Sequence, residues 1–126
     1  MDVALWVVAA LLAVAFAAGG AMKLAQSKQA LAATGQMDWV EDFSQPTIRM
    51  IGALEVAAAV GLVLPPLVDL AAVLAPLAAT GLVLLMAGAA LTHTRRGELP
   101  MVAINVVLAA LAGFVAWGRF GPYSFS

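Results

Sequence analysis

The sequence has no cysteine, a single histidine, and charged side chains at only 10% of its 126 positions. Without cysteine, the chain has no disulfides, thiolate metal sites or iron–sulfur clusters. One histidine, His93, is too few for a multi-histidine metal or haem site within one chain, so no metal and no other cofactor is predicted. The formal net charge of −1 gives no overall attraction to nucleic acid, which is therefore not expected as a partner.

Hydrophobic residues make up 64% of the chain. A soluble domain has about 25% charged residues, well above the fraction found here. A domain of this size buries only about two thirds of the surface of its unfolded chain, so much of the apolar surface would face water. This composition excludes an ordinary soluble domain and predicts that the lipid bilayer surrounds the protein.

Four apolar runs of about 20 residues are each long enough to cross a hydrocarbon core of about 30 Å. They lack the alternation of period two that a membrane barrel needs. The sequence therefore predicts an all-α integral membrane protein, with residues 1–126 forming one domain, a four-transmembrane-helix bundle with short loops. The four helices are predicted at residues 3–23, 46–64, 70–92 and 99–118.

Prolines and one aspartate mark the expected ends of these helices. Pro65 and Pro66 are predicted to end the second helix, and Pro100 to lie in the first turn of the fourth. Asp69 is a candidate cap for the third helix. Pro76 is expected to kink that helix rather than end it, because neighbouring groups in a membrane protein can satisfy the freed carbonyl.

The first connection, at about residues 24–43, is the longest of the three. Residues 37–43 mix apolar and acidic side chains, which suits a short helix lying in the membrane interface. A polar loop anchored by Trp39 and Phe43 suits the same composition equally well. Both alternatives stay open.

Positive charge is concentrated in two of the connections. Lys23, Lys28, Arg95 and Arg96 lie in or beside the connections after the first and third helices, whereas the opposite face carries Arg119. The positive-inside rule assigns Lys-rich and Arg-rich short loops to the cytoplasm. We therefore expect a multi-pass protein of the bacterial inner (plasma) membrane, with loops 1–2 and 3–4 cytoplasmic.

Five polar side chains converge on the half of the membrane nearest these two loops. Arg49 lies about one turn inside the second helix, Glu55 near its middle, and Asn105 about a turn and a half inside the fourth. Lys23 and His93 lie at the ends of the first and third helices. Because polar groups within a bilayer usually face the bundle interior, we expect these side chains to form a cluster.

Two interpretations of this cluster are open. It is either a pocket in which Glu55 binds the polar head of a ligand or transfers a proton, or a buried network that only fixes helix register. The partner of Glu55 is open as well. Arg49 lies about 120° away around the helix axis, and Lys23 or Asn105 from another helix suits Glu55 equally well.

Small residues accompany the polar ones at helical spacing. Gly52 precedes Glu55 by one turn, and Gly20 precedes Lys23 in the same way. Gly81, Gly88 and Thr92 share a face of the third helix. Small residues spaced in this way are typical of the contact surfaces of membrane helices, so close helix contact is expected at all of these glycines.

Three sequence elements contain four of these polar residues. Residues 19–23 read GGAMK, residues 49–55 follow Arg-x-x-Gly-x-x-Glu, and residues 88–98 read GAALTHTRRGE. In these elements the chain resembles the DoxX-like family of small bacterial membrane proteins over about residues 3–118. The resemblance implies a compact four-helix membrane fold. The family's polar positions correspond to Lys23, Arg49, Glu55 and His93.

The resemblance also bears on partners. The family takes its name from subunits of quinone-linked oxidase or thiosulfate-oxidation systems, and some members are linked with membrane redox complexes. It therefore implies an accessory role, with a quinone or another lipophilic small molecule as ligand. Membrane proteins or a second copy of the chain are the expected macromolecular partners.

Two functions compete on this evidence, and the sequence does not decide whether the protein is an enzyme. The first is a ligand-binding or accessory and assembly module of a membrane system, with Lys23, His93 and Asn105 as ligand-binding residues. The second is a small membrane enzyme, an isomerase or cyclase acting on a lipophilic substrate. In that case Glu55 is the general acid or base and Arg49 is its electrostatic partner.

Overall fold

The computed structural model describes residues 2–33, 43–68 and 73–123. These residues form five helices and no strand: α1 (Asp2–Ala25), α2 (Lys28–Ala32), α3 (Gln45–Leu67), α4 (Leu74–Arg95) and α5 (Leu99–Phe120). All of them except α2 are long and apolar enough to cross a membrane. The predicted four-helix membrane bundle is confirmed.

Two serines cap the N-terminal ends of α2 and α3. The Ser27 hydroxyl accepts a hydrogen bond from the Ala30 N–H at the start of α2, and the Ser44 hydroxyl accepts one from the Thr47 N–H at the start of α3. Both serines thus satisfy a backbone donor that the helix itself leaves unpaired. Helix α2 lies earlier than the segment predicted to be interfacial, of which residues 37–42 lie outside the described residues.

Helix α3 does not end at Pro65, as the sequence predicted, but continues through Pro66 to Leu67. A proline removes only its own N–H from the hydrogen-bond ladder. The Val68 N–H still donates to the Leu64 carbonyl at 3.1 Å, so the last turn closes behind the two prolines. Prolines are tolerated in this way in membrane helices, where neighbouring groups compensate for the lost bond.

Helix α4 begins at Leu74, which places Pro76 in its first turn. The N–H groups of a first turn have no partner within the helix, so this proline breaks no helical hydrogen bond. The kink expected at Pro76 therefore has no cause. The candidate cap Asp69 lies outside the described residues.

The four long helices form a ring, with α1 packed against α3 and α5, and α4 packed against the same two helices. The core between them is apolar and includes Leu12, Phe16, Leu62, Leu82 and Val115. The outward faces are apolar as well; Val14, Leu84 and Val106, for example, are exposed. Apolar side chains on both the inside and the outside are expected of a bundle that lies in lipid.

Chain direction brings together the C-terminal ends of α1 and α4 and the N-terminal ends of α3 and α5. We call this the polar end of the bundle, because Lys23, Glu55, His93, Glu98 and Asn105 lie in the half that adjoins it. The multi-pass architecture follows from the four long helices. The cytoplasmic location of the polar end stays a prediction.

Candidate functional site

A buried ion pair joins α1 to α3. The Lys23 Nζ donates a hydrogen bond to Glu55 Oε1 at 2.6 Å. Both residues are buried, with only 7% of Lys23 and 5% of Glu55 exposed. Removing two charges from water is costly unless they neutralise each other, which this pair does. Among the partners that the sequence left open for Glu55, the structure places Lys23 against it.

Two glycines allow this ion pair to form. A Cβ added to Gly20 would lie 2.6 Å from the Gly52 carbonyl oxygen, and one added to Gly52 would lie 2.8 Å from the Gly20 oxygen. The backbones of α1 and α3 therefore cross in direct contact, as the spacing of small residues predicted. Lys23 and Glu55 each follow their glycine by one turn, so the crossing brings their side chains face to face.

His93 is buried at the end of α4, where its Nδ1 lies 2.7 Å from Glu98 Oε1. Gly97 adopts a φ of +72°, a left-handed conformation that favours glycine. The Glu98 N–H donates to the His93 carbonyl and the Gly97 N–H to the Thr94 carbonyl, which together form a glycine-terminated helix end. This turn folds Glu98 back against His93. The Arg96 Nε lies 3.3 Å from the same carboxylate oxygen.

Asn105 is a further polar residue in this half of the bundle. It projects from α5, and only 5% of the residue is exposed. Its amide nitrogen, Nδ2, is fully buried and has no hydrogen-bond acceptor among the described residues. Buried polar groups in native proteins are nearly always hydrogen-bonded, so this donor requires an explanation.

These polar groups line one part of an open cleft of about 1500 Å³. Residues from α1, α3, α4 and α5 form its walls, and most of them are apolar. Leu54, Leu77 and Leu84 line the cleft and are also exposed on the outer surface, so the cleft opens towards the surroundings of the apolar helices. The polar residues that line it are Lys23, Glu55, Thr92, His93, Glu98 and Asn105.

The cleft exists because α3 and α4 touch only over part of their length. A Cβ added to Gly61 would lie 3.1 Å from the Ala78 Cβ, which marks the contact between the two helices. Gly81 and Gly88 line the cleft further along α4, and a Cβ added to either would meet no atom within 4 Å. The prediction of close helix contact at these two glycines is wrong, because they leave space instead.

The structure brings four of the five predicted site residues to this cleft. Lys23, Glu55, His93 and Asn105 line it, whereas Arg49 lies on the exposed surface of α3 and is not among the lining residues. Glu98 is a further lining residue that the sequence analysis did not include. The Gly97-Glu98 pair directly after a helix end is the signal that could have placed this glutamate beside the last helical turn.

Another ion pair lies at the opposite end of the bundle. Arg119 is buried near the end of α5; its guanidinium donates to Asp2 Oδ1 at 2.5 Å and to the Tyr123 carbonyl at 2.9 Å. The Arg119 guanidinium also lies 5.7 Å from the centre of the Trp6 ring. These contacts tie the start of α1 to the end of α5, and none of these residues lines the cleft.

Apolar walls with a few polar groups suit a lipophilic molecule that carries a polar atom. Within residues 2–33, 43–68 and 73–123, no group of three or more histidine, aspartate or glutamate side chains is placed to hold a metal ion. The polar side chains at the cleft supply two carboxylates, a lysine, a histidine, a hydroxyl and an amide.

Comparison with known proteins agrees with the architecture. The family model described as "DoxX-like family" matches residues 7–115, a stretch that contains most of each long helix. No curated protein and no solved structure matches the chain. With its four apolar helices, the chain is a multi-pass membrane protein that belongs to the DoxX-like family.

Proposed function

We propose that this protein is a ligand-binding module of a membrane system and holds a lipophilic small molecule in its cleft. The cleft is the observation that carries the proposal: about 1500 Å³, mostly apolar walls, and buried polar groups at one part. Binding sites for small molecules typically combine a concave apolar surface with a few polar groups that orient the ligand. A quinone belongs to this chemical class, and the family resemblance supports a quinone-linked system.

Exposed leucines at the mouth of the cleft support entry of the ligand from the bilayer. Leu54, Leu77 and Leu84 face both the cleft and the exterior of α3 and α4. A molecule dissolved among lipid chains would pass between these side chains without crossing a polar barrier. The apolar body of the ligand would then lie along the walls, with its polar atom at the buried polar groups.

The two ion pairs at the cleft favour binding over catalysis. Lys23 neutralises Glu55, and Glu98 lies against His93 and Arg96. Each carboxylate is thus already held by a cationic or hydrogen-bonding partner. Groups that are held in this way can shape and polarise a binding site, which fits an accessory module of a larger membrane complex.

Filling the cleft tests this proposal. Gly81→Leu adds a side chain to the open space of the cleft. Gly113→Leu is the control: a Cβ at Gly113 also meets no atom within 4 Å, but Gly113 does not line the cleft. Each protein is isolated from its native membrane in lipid nanodiscs, and native mass spectrometry identifies what is bound. We expect the wild type and Gly113→Leu to retain the same lipophilic molecule, and Gly81→Leu to lose it while a cooperative melting curve shows that the variant is folded.

Two results would contradict the binding proposal. One is full retention of the bound molecule by Gly81→Leu, which would place the ligand outside the cleft. The other is the absence of any lipophilic molecule beyond bulk lipid from all three proteins, whether native or supplied during purification.

Acid–base catalysis at Glu55 is the second candidate, since this carboxylate lines the cleft. A positioned carboxyl group can donate or remove the proton that an isomerase or cyclase reaction moves. Lys23, rather than the exposed Arg49, would be its electrostatic partner.

Glu55→Gln separates the two candidates, because glutamine still accepts a hydrogen bond from Lys23 but cannot transfer a proton. If the protein is a binding module, a folded Glu55→Gln variant should support the biological phenotype in a complementation assay. If it is an enzyme, the same variant should fold, retain the lipophilic molecule and fail to complement. A melting curve recorded beside the assay shows that the variant is folded.

A further inference from the structure

We infer that Asn105 is the residue that selects the ligand, by donating a hydrogen bond from Nδ2 to an uncharged acceptor oxygen. This inference rests on the proposed function and deepens it, because it names the chemical group that the cleft recognises. Its starting point is one atom. Asn105 lines the cleft, and its amide nitrogen is buried and has no acceptor among the described residues.

An amide nitrogen can only donate hydrogen bonds, so its partner must be an acceptor. The neighbouring lining residues Ile104 and Leu108 lie on the same helix and supply no acceptor from their side chains. A ligand oxygen placed at Asn105 would therefore satisfy a donor that is otherwise buried at a cost. This gives the cleft a reason to prefer a molecule with such an oxygen over a pure hydrocarbon.

The charges around Asn105 indicate that the oxygen is uncharged. Among the described lining residues, the cationic Lys23 faces Glu55, and His93 faces Glu98. The lining therefore has no surplus of positive charge to balance an anionic head. A carboxylate or phosphate would bring an unpaired charge into a buried site, which is far more costly than burying a neutral oxygen. Ketones and esters with long apolar parts fit both requirements.

Two probes that differ in one oxygen test the inference. Octanophenone and octylbenzene have the same carbon skeleton, and only the first has a carbonyl. Their affinities for the full chain in nanodiscs are measured by native mass spectrometry. We expect the wild type to bind the ketone about fivefold more tightly, which is the worth of one ordinary hydrogen bond.

Variants at Asn105 locate the source of this preference. Asn105→Leu keeps the number and branching of the side-chain heavy atoms and has no donor, so it should bind the two probes equally, with its affinity for octylbenzene unchanged. Its melting temperature should not fall, because the substitution removes an unpaired buried amide. Asn105→Gln keeps an amide donor on a longer side chain and should retain part of the preference for the ketone.

Equal affinity of the wild type for the two probes would overturn the inference and leave the proposed function intact. A preference for the ketone that persists in Asn105→Leu would overturn it as well. Binding of neither probe to the wild type would contradict the proposed function itself, and the inference with it. Gly81→Leu should bind neither probe, which shows that the measured affinities belong to the cleft.

The acceptor oxygen could belong to a lipid ester or to a free molecule, and nanodiscs of diether lipids, which lack ester carbonyls, distinguish the two. If a lipid ester occupies Asn105, the affinity for octanophenone should be several-fold higher in diether than in diester nanodiscs. If the natural ligand is a free molecule, the two affinities should agree. The fivefold preference over octylbenzene in diether nanodiscs is required in both cases.

Discussion

Helices α1 and α3 cross in direct contact, whereas α3 and α4 leave a cleft, although glycines lie at both places. At the first, the glycines Gly20 and Gly52 face each other so closely that neither position has room for a Cβ. At the second, Gly81 and Gly88 face open space. The comparison shows that a small residue permits close helix contact but does not cause it.

The polar side chains are paired differently at the two places. Lys23 and Glu55 lie on different helices, so their ion pair ties α1 to α3 beside the glycine crossing. His93 pairs with Glu98, which is five residues further along the chain and belongs to the turn after α4. That pair joins the end of α4 to the turn that follows it. An ion pair between two helices thus lies at the closed interface, and a pair within one turn lies beside the open cleft.

Removing one partner of the tie should have the largest effect on stability. Glu55→Ala leaves Lys23 buried without its counter-charge and should lower the free energy of unfolding by about 3 kcal/mol, the lower end expected for a broken buried pair. The measurement is an unfolding titration in mixed micelles. A control that replaces both residues by methionine should recover most of the loss, because neither charge then remains. A Glu55→Ala protein as stable as the wild type would show that the pair does not hold α1 to α3.

A single methyl group at the helix crossing should have the next largest effect. In Gly20→Ala the new Cβ would lie 2.6 Å from the Gly52 oxygen and 2.7 Å from Val56 Cγ2, so the helices must move apart. We expect a loss of about 1–3 kcal/mol in the same titration, as for other overpacked sites. An unchanged stability would mean that α1 and α3 do not approach as closely as described.

The same substitution on α4 should act in the opposite direction. In Gly81→Ala the methyl group meets no atom within 4 Å, so only the helix-stabilising effect of alanine remains. This effect amounts to a gain of about 0.5–1 kcal/mol. Changes of opposite sign in the free energy of unfolding for Gly20→Ala and Gly81→Ala would support the difference between the two interfaces. Equal losses of stability would contradict that difference.

The smallest effect is expected at Arg49, which lies on the exposed surface of α3 and outside the cleft. Arg49→Ala should change the free energy of unfolding by no more than about 0.5 kcal/mol, as is usual for surface positions. It should also retain the lipophilic molecule found with the wild type by native mass spectrometry. If the variant lost that molecule at unchanged stability, Arg49 would have to be counted among the ligand-binding residues.

The sequence predicted the four long helices well, because long uninterrupted apolar runs have few alternatives in a membrane. The predicted first and fourth helices agree with α1 and α5 to within two residues. Helix ends at prolines were harder to predict, since α3 passes through Pro65 and Pro66. A proline stops a helix in water more reliably than in a bundle whose neighbours compensate for the missing bond.

The candidate site was predictable in its members but not in its arrangement. Depth along the helices brought Lys23, Glu55, His93 and Asn105 into one half of the membrane, and the structure finds all of them at one cleft. Which of them pair depends on how far each helix is rotated and how closely it packs, and hydropathy contains neither quantity. A pocket at Glu55 was one of two open interpretations, but its position between α3 and α4 was not predicted, because the glycines that line the cleft have the spacing of a contact surface.

Photolabelling tests the central claim, that a lipophilic molecule lies in the cleft, most directly. Benzophenone is neutral and apolar, accepts a hydrogen bond through its carbonyl, and inserts into nearby C–H bonds from that same group on illumination. We expect its adducts to concentrate on Met101, Ile104 and Leu108, which line the cleft around Asn105, and to disappear in Gly81→Leu. Adducts spread over exposed residues outside the cleft, such as Val14 and Val106, and unaffected by Gly81→Leu, would contradict the account.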